Sequence, residues 1–349
     1  MIIGVAGTAK NTGKTTALCA LIRSASAKGR LPGVTGIGYD GEERDNITLL
    51  PKPRITVFPG MLVSTAELCL AASTARLRVL KQTGVVTALG QVVIADVEEG
   101  GLVVVAGPNK TTDLSLVTRE MQLRGSTDIL VDGSLNRIAP MSVVQRVVFA
   151  TGGARSIHPA VLAEETAAIE SIFRNRESAG DYADVSGIRL VGKDVQLQCR
   201  ASAFHGVDEI AEAMGHIPEG LKEIVLPGMV TMDGLALLRD RLQTVNPEGA
   251  SVVFDNPFRI LLSGEPVVVG RLLREFSRMS INVCYRRAIR LAAVTINPYY
   301  PAFDGTTYHA AYLDPAAVRA AVAGVLSTPV IDVLAEGAEA LYSRCFAEG

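Results

Sequence analysis

The residue types that could do chemistry are concentrated near the start of the chain, between residues 7 and 16. Lys14, Thr15 and Thr16 follow Gly13 directly, and small or polar residues precede them. Backbone N–H groups in such a loop can surround a polyphosphate at the positive end of a helix. We expect the Lys14 ammonium to reach the β- and γ-phosphates and the Thr15 hydroxyl to bind Mg²⁺. We call residues 7–16 the candidate phosphate loop.

The elements around this loop have the order that phosphate binding requires. The apolar run at residues 2–6 predicts a buried strand, and residues 16–28 predict a helix that ends before Gly29. The alternative is a glycine-rich turn that happens to contain a lysine. Lys10 could also bridge phosphates, although its position assigns it no specific role. The candidate nucleotide contacts in the loop are Gly7, Thr8, Lys10, Asn11, Thr12, Gly13, Lys14, Thr15 and Thr16.

Acids and a cation elsewhere could complete the site. Asp132 ends an apolar strand, which is where a magnesium-binding acid stands in phosphate-loop proteins, and a turn or helix-capping aspartate is the alternative. Asp40 is the first acid after the second predicted strand and is a candidate metal ligand, or else part of a solvated acidic loop. Arg137 could meet the γ-phosphate or lie on the surface. The candidate catalytic residues are Lys14, Asp40 and Arg137.

The nucleotide base is predicted mainly by exclusion. Residues 109–113 read Asn-Lys-Thr-Thr-Asp, one residue longer than the guanine-reading Asn-Lys-x-Asp motif, and they precede Asp132 rather than follow it. We therefore expect ATP rather than GTP. Asn297 follows a late predicted strand, where base-reading loops often lie, although Asn-Pro is also an ordinary turn sequence.

Composition narrows the class of protein. The 349 residues carry a formal net charge of −2, without a basic field that would favour nucleic acid. There is no tryptophan, and the five cysteines have no metal-ligand spacing, as in a reducing compartment. No apolar run reaches the ~18 residues of a membrane-spanning helix. We expect a soluble cytoplasmic protein and no membrane partner.

Strand and helix patterns alternate along the whole chain. This alternation predicts an α/β protein with a doubly wound, mostly parallel sheet. The polar segment at residues 175–184 suggests a nucleotide-binding domain over residues 1–178 and a second α/β region over 179–349, either separate or continuous with the first sheet. Within the first region, we expect a helix at residues 64–79 and paired strands at 92–95 and 102–105.

The candidate phosphate loop resembles that of two enzyme families. Its Gly-Thr pair at positions 7 and 8, followed after four residues by Gly-Lys-Thr, is similar to the loop of dethiobiotin synthetase and the cobyrinic-acid synthases. The Leu-Val-Asp-Gly-Ser run at 130–134 resembles Leu-Val-Glu-Gly-Ala in dethiobiotin synthetase, where the acid helps to bind Mg²⁺. This resemblance implies a P-loop NTPase fold. Neither family accounts for residues 180–349.

A third resemblance covers more of the chain. The segments Gly-Ile-Gly-Tyr-Asp-Gly-Glu at 36–42, Pro-Lys-Pro-Arg at 51–54, Leu-Val-Asp-Gly-Ser-Leu-Asn-Arg at 130–137 and Ile-Asn-Pro-Tyr at 296–299 are similar to a P-loop subunit encoded beside lysine 5,6-aminomutase. That subunit is described as part of a reactivase for the cobalamin-dependent aminomutase. The resemblance implies ATP-driven exchange of damaged cobalamin, with the aminomutase or a second reactivase subunit as partner.

Three functions follow as hypotheses. The first is an Mg²⁺-dependent ATP hydrolase that changes the conformation of a partner protein. The second is a ligase or kinase of the dethiobiotin synthetase type, acting on a small-molecule acid. The third is a nucleotide sensor without catalysis, which the metal-binding residue types Thr15 and Asp132 disfavour. Whether the chain forms a homodimer is left open.

Overall fold

A computed structural model describes residues 1–38, 55–133, 139–204, 220–245 and 249–346, together with Gly215 and Pro247. The chain divides into two compact units, residues 1–163 with 291–349, and residues 164–290. In the part of the chain so described, no helix has both the length and the apolar character needed to cross a membrane.

The described residues contain both strands and helices, with several runs of consecutive strands. The strands are β1 (Ile2–Gly7), β2 (Gly33–Gly36), β3 (Ile55–Val57), β4 (Leu62–Ala66), β5 (Arg76–Thr87), β6 (Gly90–Glu99), β7 (Gly101–Val103), β8 (Ile129–Asp132), β9 (Arg146–Gly152), β10 (Arg189–Val191), β11 (Gln196–Gln198), β12 (Glu223–Leu226), β13 (Ser251–Phe254), β14 (Asn282–Tyr285), β15 (Arg290–Asn297), β16 (Tyr299–Phe303), β17 (Tyr308–Tyr312) and β18 (Val330–Ile331). The helices are α1 (Lys14–Ala27), α2 (Glu67–Leu70), α3 (Thr111–Leu123), α4 (Pro159–Phe173), α5 (Met232–Val245), α6 (Pro257–Leu261), α7 (Pro266–Arg278), α8 (Pro315–Ala323), α9 (Val333–Glu336) and α10 (Ala338–Phe346).

The first unit is built on a nine-stranded sheet with the order β18-β15-β9-β1-β8-β2-β4-β6-β5. Strand β1 runs parallel to both of its neighbours, β8 and β9, and β2 runs parallel to β8 and β4. Every residue of β1 is buried, as expected for a strand covered on both faces. The predicted α/β class with a large, mostly parallel sheet is therefore confirmed.

Helix α1 covers one face of this sheet with a continuous apolar stripe. Leu18, Leu21 and Ile22 are fully buried in the same apolar cluster as β1 residues Ile3 and Val5. Helix α1 also packs against α10, which belongs to the same unit although the two are far apart in the sequence. The chain terminus thus helps to fix the helix that follows the candidate phosphate loop.

Two local predictions for the first unit are wrong. Residues 64–79 form the end of β4, the short helix α2 and the start of β5 instead of one helix. Polar side chains at Ser64 and Thr65 conceal a buried strand, and the β5 sequence Arg-Leu-Arg-Val alternates with the period of a strand.

The predicted pairing of residues 92–95 with 102–105 is the second error. Strand β6 pairs with β4 and β5, whereas β7 pairs antiparallel with β3. Only Gly100 separates β6 from β7, and hairpin loops commonly need at least two residues. The chain therefore leaves one sheet and joins another strand at this point.

The second unit has its own five-stranded sheet, with the order β11-β10-β12-β13-β14. Strands β12, β13 and β14 are parallel, and β10 and β11 form an antiparallel hairpin. The division differs from the sequence-based boundary at residue 178. Residues 291–349 belong to the first unit because β15 and β18 are strands of its sheet.

The end of β9 approaches the end of β15 so closely that it requires glycine. A Cβ on Gly152 would lie 1.8 Å from the Asn297 carbonyl oxygen, and the Gly152 φ angle is +151°. We expect Gly152→Ala to lower the free energy of unfolding by about 3 kcal/mol or more, from backbone collision and strain together. Gly84→Ala is the matched control, since Gly84 has φ +80° but nothing within 4 Å of its added Cβ. It should cost only about 1 kcal/mol. Equal denaturation midpoints for the two variants in urea would contradict the close approach.

Candidate functional site

The candidate phosphate loop connects the end of β1 to the start of α1. Two residues in it have left-handed backbone conformations, Asn11 with φ 64° and Gly13 with φ 90°. Left-handed residues among right-handed ones direct successive N–H groups toward a common point, which creates anion-binding concavities. Asparagine and glycine are the residue types that adopt this conformation most readily. The sequence therefore has suitable residues at both positions.

Two threonines hold the loop in shape. The Thr8 backbone N–H donates to the Ala150 carbonyl at 2.9 Å, and its hydroxyl donates to the Thr151 hydroxyl at 3.0 Å. The Thr12 hydroxyl donates to the Ala9 carbonyl at 3.0 Å. Both threonine side chains are almost completely buried. The hydroxyls of Thr8 and Thr12 therefore bind the protein's own backbone and side chains, so these two residues build the loop from within.

Gly7 is required by this packing. A Cβ at position 7 would lie 2.7 Å from the Thr12 hydroxyl oxygen and 3.2 Å from the Ala9 carbonyl oxygen. The loop folds back over the last residue of β1, and any side chain there would displace it. This contact gives a physical reason for a glycine at position 7, with the threonine at position 8 turned into the core.

The N-terminus of α1 faces the loop without a side-chain cap. Gly13 is the N-cap residue, no side chain caps its helix, and the first turn contains no acid. Lys14, Thr15 and Thr16 in that turn are partly exposed. The first-turn N–H groups of a helix have no acceptor within the helix, and the helix dipole favours negative charge near them. This end of α1 is therefore chemically suited to a phosphate.

Lys14 and Asp132 form an ion pair at the carboxyl ends of adjacent parallel strands. The Lys14 Nζ lies 3.4 Å from the Asp132 Oδ1, and the two side chains are 14% and 15% exposed. Strand pairing places Asp132 beside Val5, and the loop returns the chain so that Lys14 faces the carboxylate. The two residues that sequence reasoning chose for phosphate and metal binding are thus neighbours.

The carboxylate of Asp132 has capacity for a further ligand. Its Oδ1 atom is buried and accepts no hydrogen bond from the described residues, so its contact with Lys14 is an ion pair by distance only. A buried carboxylate oxygen with unused lone pairs suits a hydrated Mg²⁺, which is commonly held by one or two protein groups and several waters. The described residues contain no cluster of three His, Cys, Asp or Glu that could hold a metal by themselves.

The remaining catalytic candidates cannot be placed. Asp40 lies in residues 39–54 and Arg137 in residues 134–138, and both segments are outside the described residues. Their roles stay predictions. Lys10 is exposed at the tip of the loop.

Asn297 reaches the loop from the end of β15. Its Nδ2 donates to the Asn11 carbonyl at 3.1 Å, and its Oδ1 accepts a hydrogen bond from the Tyr299 backbone N–H at 3.2 Å. A Cβ on Gly13 would lie 3.1 Å from the Asn297 Cβ, so the two residues pack closely. Both the Nδ2 and the Oδ1 of Asn297 are therefore hydrogen-bonded to backbone, and the Nδ2 partner is Asn11, one of the two left-handed residues of the loop.

Other contacts at this edge of the sheet were not predicted from the sequence. A Cβ on Gly107 would lie 1.8 Å from the Gly36 carbonyl oxygen, so the segment after β7 crosses the end of β2 at backbone distance. Met141 packs beneath the site, where a Cβ on Gly4 or Gly133 would collide with it. The glycines themselves were the available signal, because glycine beside a strand end often marks close backbone approach.

One thiol lies near the ion pair. Burial raises the pKa of the Cys19 thiol on α1, and the negative charge of Asp132 raises it further. A hydrogen bond with the Thr56 backbone and the charge of Arg23 act in the opposite direction but do not prevail. Cys19 is consequently a poor nucleophile at neutral pH, and we assign it no chemical role.

No protein-family model, no curated protein and no solved structure matches the chain. The functional conclusion therefore depends on the residues and geometry described above.

Proposed function

We propose that the chain is an Mg²⁺-dependent ATPase with a P-loop NTPase fold, whose hydrolysis of ATP drives a conformational change in a partner protein. The observation that carries the proposal is the 3.4 Å pair between Lys14 Nζ and Asp132 Oδ1, at the start of α1 and the end of β8. ATP hydrolysis with Mg²⁺ needs a cation that binds the phosphates and an acid that holds the metal, and the two must lie close together.

The order of strands supports the same proposal. The chain passes from β1 to β2 and β8 on one side of β1, and then to β9 and β15 on the other side. In open α/β sheets, ligands bind outside the carboxyl ends of the strands where this reversal occurs. The candidate phosphate loop follows β1, the strand at that point.

Each described residue has a defined part in the proposed reaction. Lys14 and the first-turn N–H groups of α1 hold the phosphates, while the Thr15 hydroxyl and Asp132 hold the hydrated Mg²⁺. When bound, Mg²⁺ supplies positive charge that neutralises the phosphate oxygens. Asp40 and Arg137 are proposed to orient the attacking water and to stabilise the γ-phosphate charge.

The ion pair also gives a reason for the loop to change on binding. Lys14 neutralises the largely buried Asp132 carboxylate, and a phosphate would compete for the same ammonium. Mg²⁺ would then take over the neutralisation of Asp132. In the proposed complex, the Lys14–Asp132 pair is replaced by a contact of Lys14 with phosphate and a contact of Asp132 with Mg²⁺, so neither charge is left without a partner.

The identity of the proposed partner protein is based on the resemblance to the reactivase subunit. Two of the four similar segments contain residues of the candidate site. The segment at 130–137 includes Asp132, which pairs with Lys14, and the segment at 296–299 includes Asn297, which donates a hydrogen bond to the loop. We propose that the partner is a cobalamin-dependent aminomutase or a second reactivase subunit. ATP hydrolysis would then supply the free energy for cofactor exchange on that partner.

The role of Lys14 can be tested by thermal unfolding. Mg²⁺–ATP at a hundred times its dissociation constant should stabilise the wild type by about 2.7 kcal/mol and raise its Tm. Lys14→Ala should lose this increase because the phosphates lose their main cation. Lys81→Ala is the control, since Lys81 is exposed on β5, away from the loop. The site assignment fails if Lys14→Ala retains the wild-type shift.

The role of Asn297 can be tested by calorimetry. Because its amide supports the Asn11 carbonyl, we propose that it positions the loop and does not read the base. Asn297→Ala should therefore weaken ATP, GTP and pyrophosphate by similar factors, about fivefold to tenfold for one hydrogen bond and its packing. The wild type should prefer ATP to GTP. If only ATP binding weakens while pyrophosphate binding is unchanged, Asn297 reads the base.

The function itself is tested by a steady-state ATPase assay with pure protein. We expect slow basal hydrolysis that requires Mg²⁺ and rises at least tenfold when the aminomutase or the second reactivase subunit is added, as a partner-driven ATPase should. Asp132→Asn should abolish both rates, because it removes the metal-binding charge while keeping the shape of the side chain. Stimulation by a small carboxylic acid instead would identify a ligase or kinase. Absence of Mg²⁺-dependent hydrolysis under every condition would refute the ATPase.

A further inference from the structure

An open cleft of about 510 Å³ lies at the opposite end of the first unit's sheet from the candidate phosphate loop. Most of its lining residues lie just before β2, β4 and β8, and the others lie in β4, β5 and β6. The loop instead follows β1, which is parallel to β8. Volumes of this size are typical of small-molecule sites. We call it the arginine cleft, because Arg30, Arg78 and Arg124 contribute to its wall.

Three glycine turns leave much of this wall as bare backbone. Gly29, Gly60 and Gly125 line the cleft and have left-handed φ angles of +73°, +83° and +95°. A Cβ on Gly29 or Gly125 would meet nothing within 4 Å. The turns that end α1 and α3 thus present backbone to open space, and this leaves room for a ligand beside the arginines.

The three guanidinium groups are held in place by carboxylates. The Arg30 Nε lies 3.2 Å from the Asp128 Oδ2, and the Arg30 guanidinium lies over the Phe346 ring at 5.3 Å. Arg78 binds Asp96 through Nη2 at 3.0 Å. These contacts restrict the long side chains before any ligand arrives, which lowers the conformational entropy that is lost when an anion binds.

The anchoring contacts leave donors on two of the arginines. Arg78 uses Nη2 and Nε for its carboxylates, and Arg124 uses Nη1 for both the Glu120 carbonyl and carboxylate. A guanidinium has five N–H donors in a planar fork, so these ion pairs with described residues use only part of each fork. A planar fork matches the two oxygens of a carboxylate or phosphate.

Most of the charged side chains that line the cleft are cationic, since they are the three arginines and a single acid, Asp96. The other carboxylates that pair with these arginines, those of Asp128, Glu98 and Glu120, are not among the lining residues. Leu62 and Leu80 add apolar surface that can pack against a carbon skeleton. Guanidinium forks, open backbone and a small apolar area together fit an organic anion better than a cation or a purely apolar molecule.

We propose that the arginine cleft binds a small organic anion with more than one carboxylate or phosphate group. This site is separate from the proposed nucleotide site, and α1 extends from one to the other, since it begins after Gly13 and is followed by Gly29. The ligand uses Arg78 and Arg124 as paired forks and lies against the Gly125 turn.

Two probes test the proposal on the full chain: citrate for carboxylates and pyrophosphate for phosphates. Isothermal titration calorimetry gives the affinity, and hydrogen exchange gives the place. At least one probe should slow exchange at residues 29–31 and 124–127, and its affinity should fall as NaCl increases. Protection there distinguishes the cleft from residues 7–16, which also bind pyrophosphate if the proposed function is correct. Whichever probe binds more tightly identifies the acidic group.

Variants of two lining arginines supply the decisive comparison. The double variant Arg78→Gln with Arg124→Gln should bind the probe at least about tenfold more weakly, because charge-assisted hydrogen bonds are lost. Arg119→Gln is the matched control, since Arg119 is exposed on α3 and does not line the cleft. If the double variant does not fold, Arg78→Gln alone serves, because the Arg78 side chain is 60% exposed. The proposal is refuted if neither probe protects these turns, or if the folded variant binds as the wild type does.

Discussion

The parallel pairing of β1 with β8 is the constraint on which the candidate site depends. It places Val5 beside Asp132, so the chain that leaves β1 must turn over the carboxylate that ends β8. Helix α1 then returns along the sheet, and its first residue, Lys14, faces Asp132 at 3.4 Å. Neither charge could be largely buried alone without a high cost, since burial of an unpaired charge is strongly unfavourable. The strand pairing and the ion pair therefore stabilise each other.

Hydrogen bonds on the other side of β1 give the loop its second support. Strand β9 supplies the Ala150 carbonyl and the Thr151 hydroxyl to Thr8, and β15 supplies Asn297 to Asn11. The loop is thus held by three strands of one sheet, β1, β9 and β15, before any ligand is considered. A loop fixed in this way keeps its N–H groups in position, and preorganised donors stabilise charge more effectively than mobile ones.

Local pattern was sufficient to predict the loop and its flanking elements, because β1, the loop and α1 are contiguous and each has a clear signature. It also placed Asp132 at the end of a buried strand, while the metal-binding role of this residue stays a prediction. Local pattern failed at residues 64–79, where polar residues at the end of β4 conceal a buried strand and a short apolar run in the middle fits a longer helix. It could not show that β15 rejoins the first sheet, because that pairing joins residues far apart in the sequence. The arginine cleft was missed for the same reason, since its arginines come from three separate turns and strands.

Helix α1 extends from the candidate phosphate loop to the arginine cleft, and its packing determines whether a change at one of them can affect the other. Residues of α1, α10 and the sheet share one apolar cluster, so a displacement of α1 would disturb the packing of both neighbours. Arg30, just beyond the C-terminal end of α1, lies over Phe346 of α10, which fixes the wall of the cleft to the same pair of helices. If Lys14 exchanged Asp132 for phosphate as proposed, a resulting shift of α1 would reach the arginine cleft through packed elements. Such coupling requires two arrangements of the α1–α10 pair that differ in affinity for the proposed nucleotide and the proposed anion, and it must act in both directions.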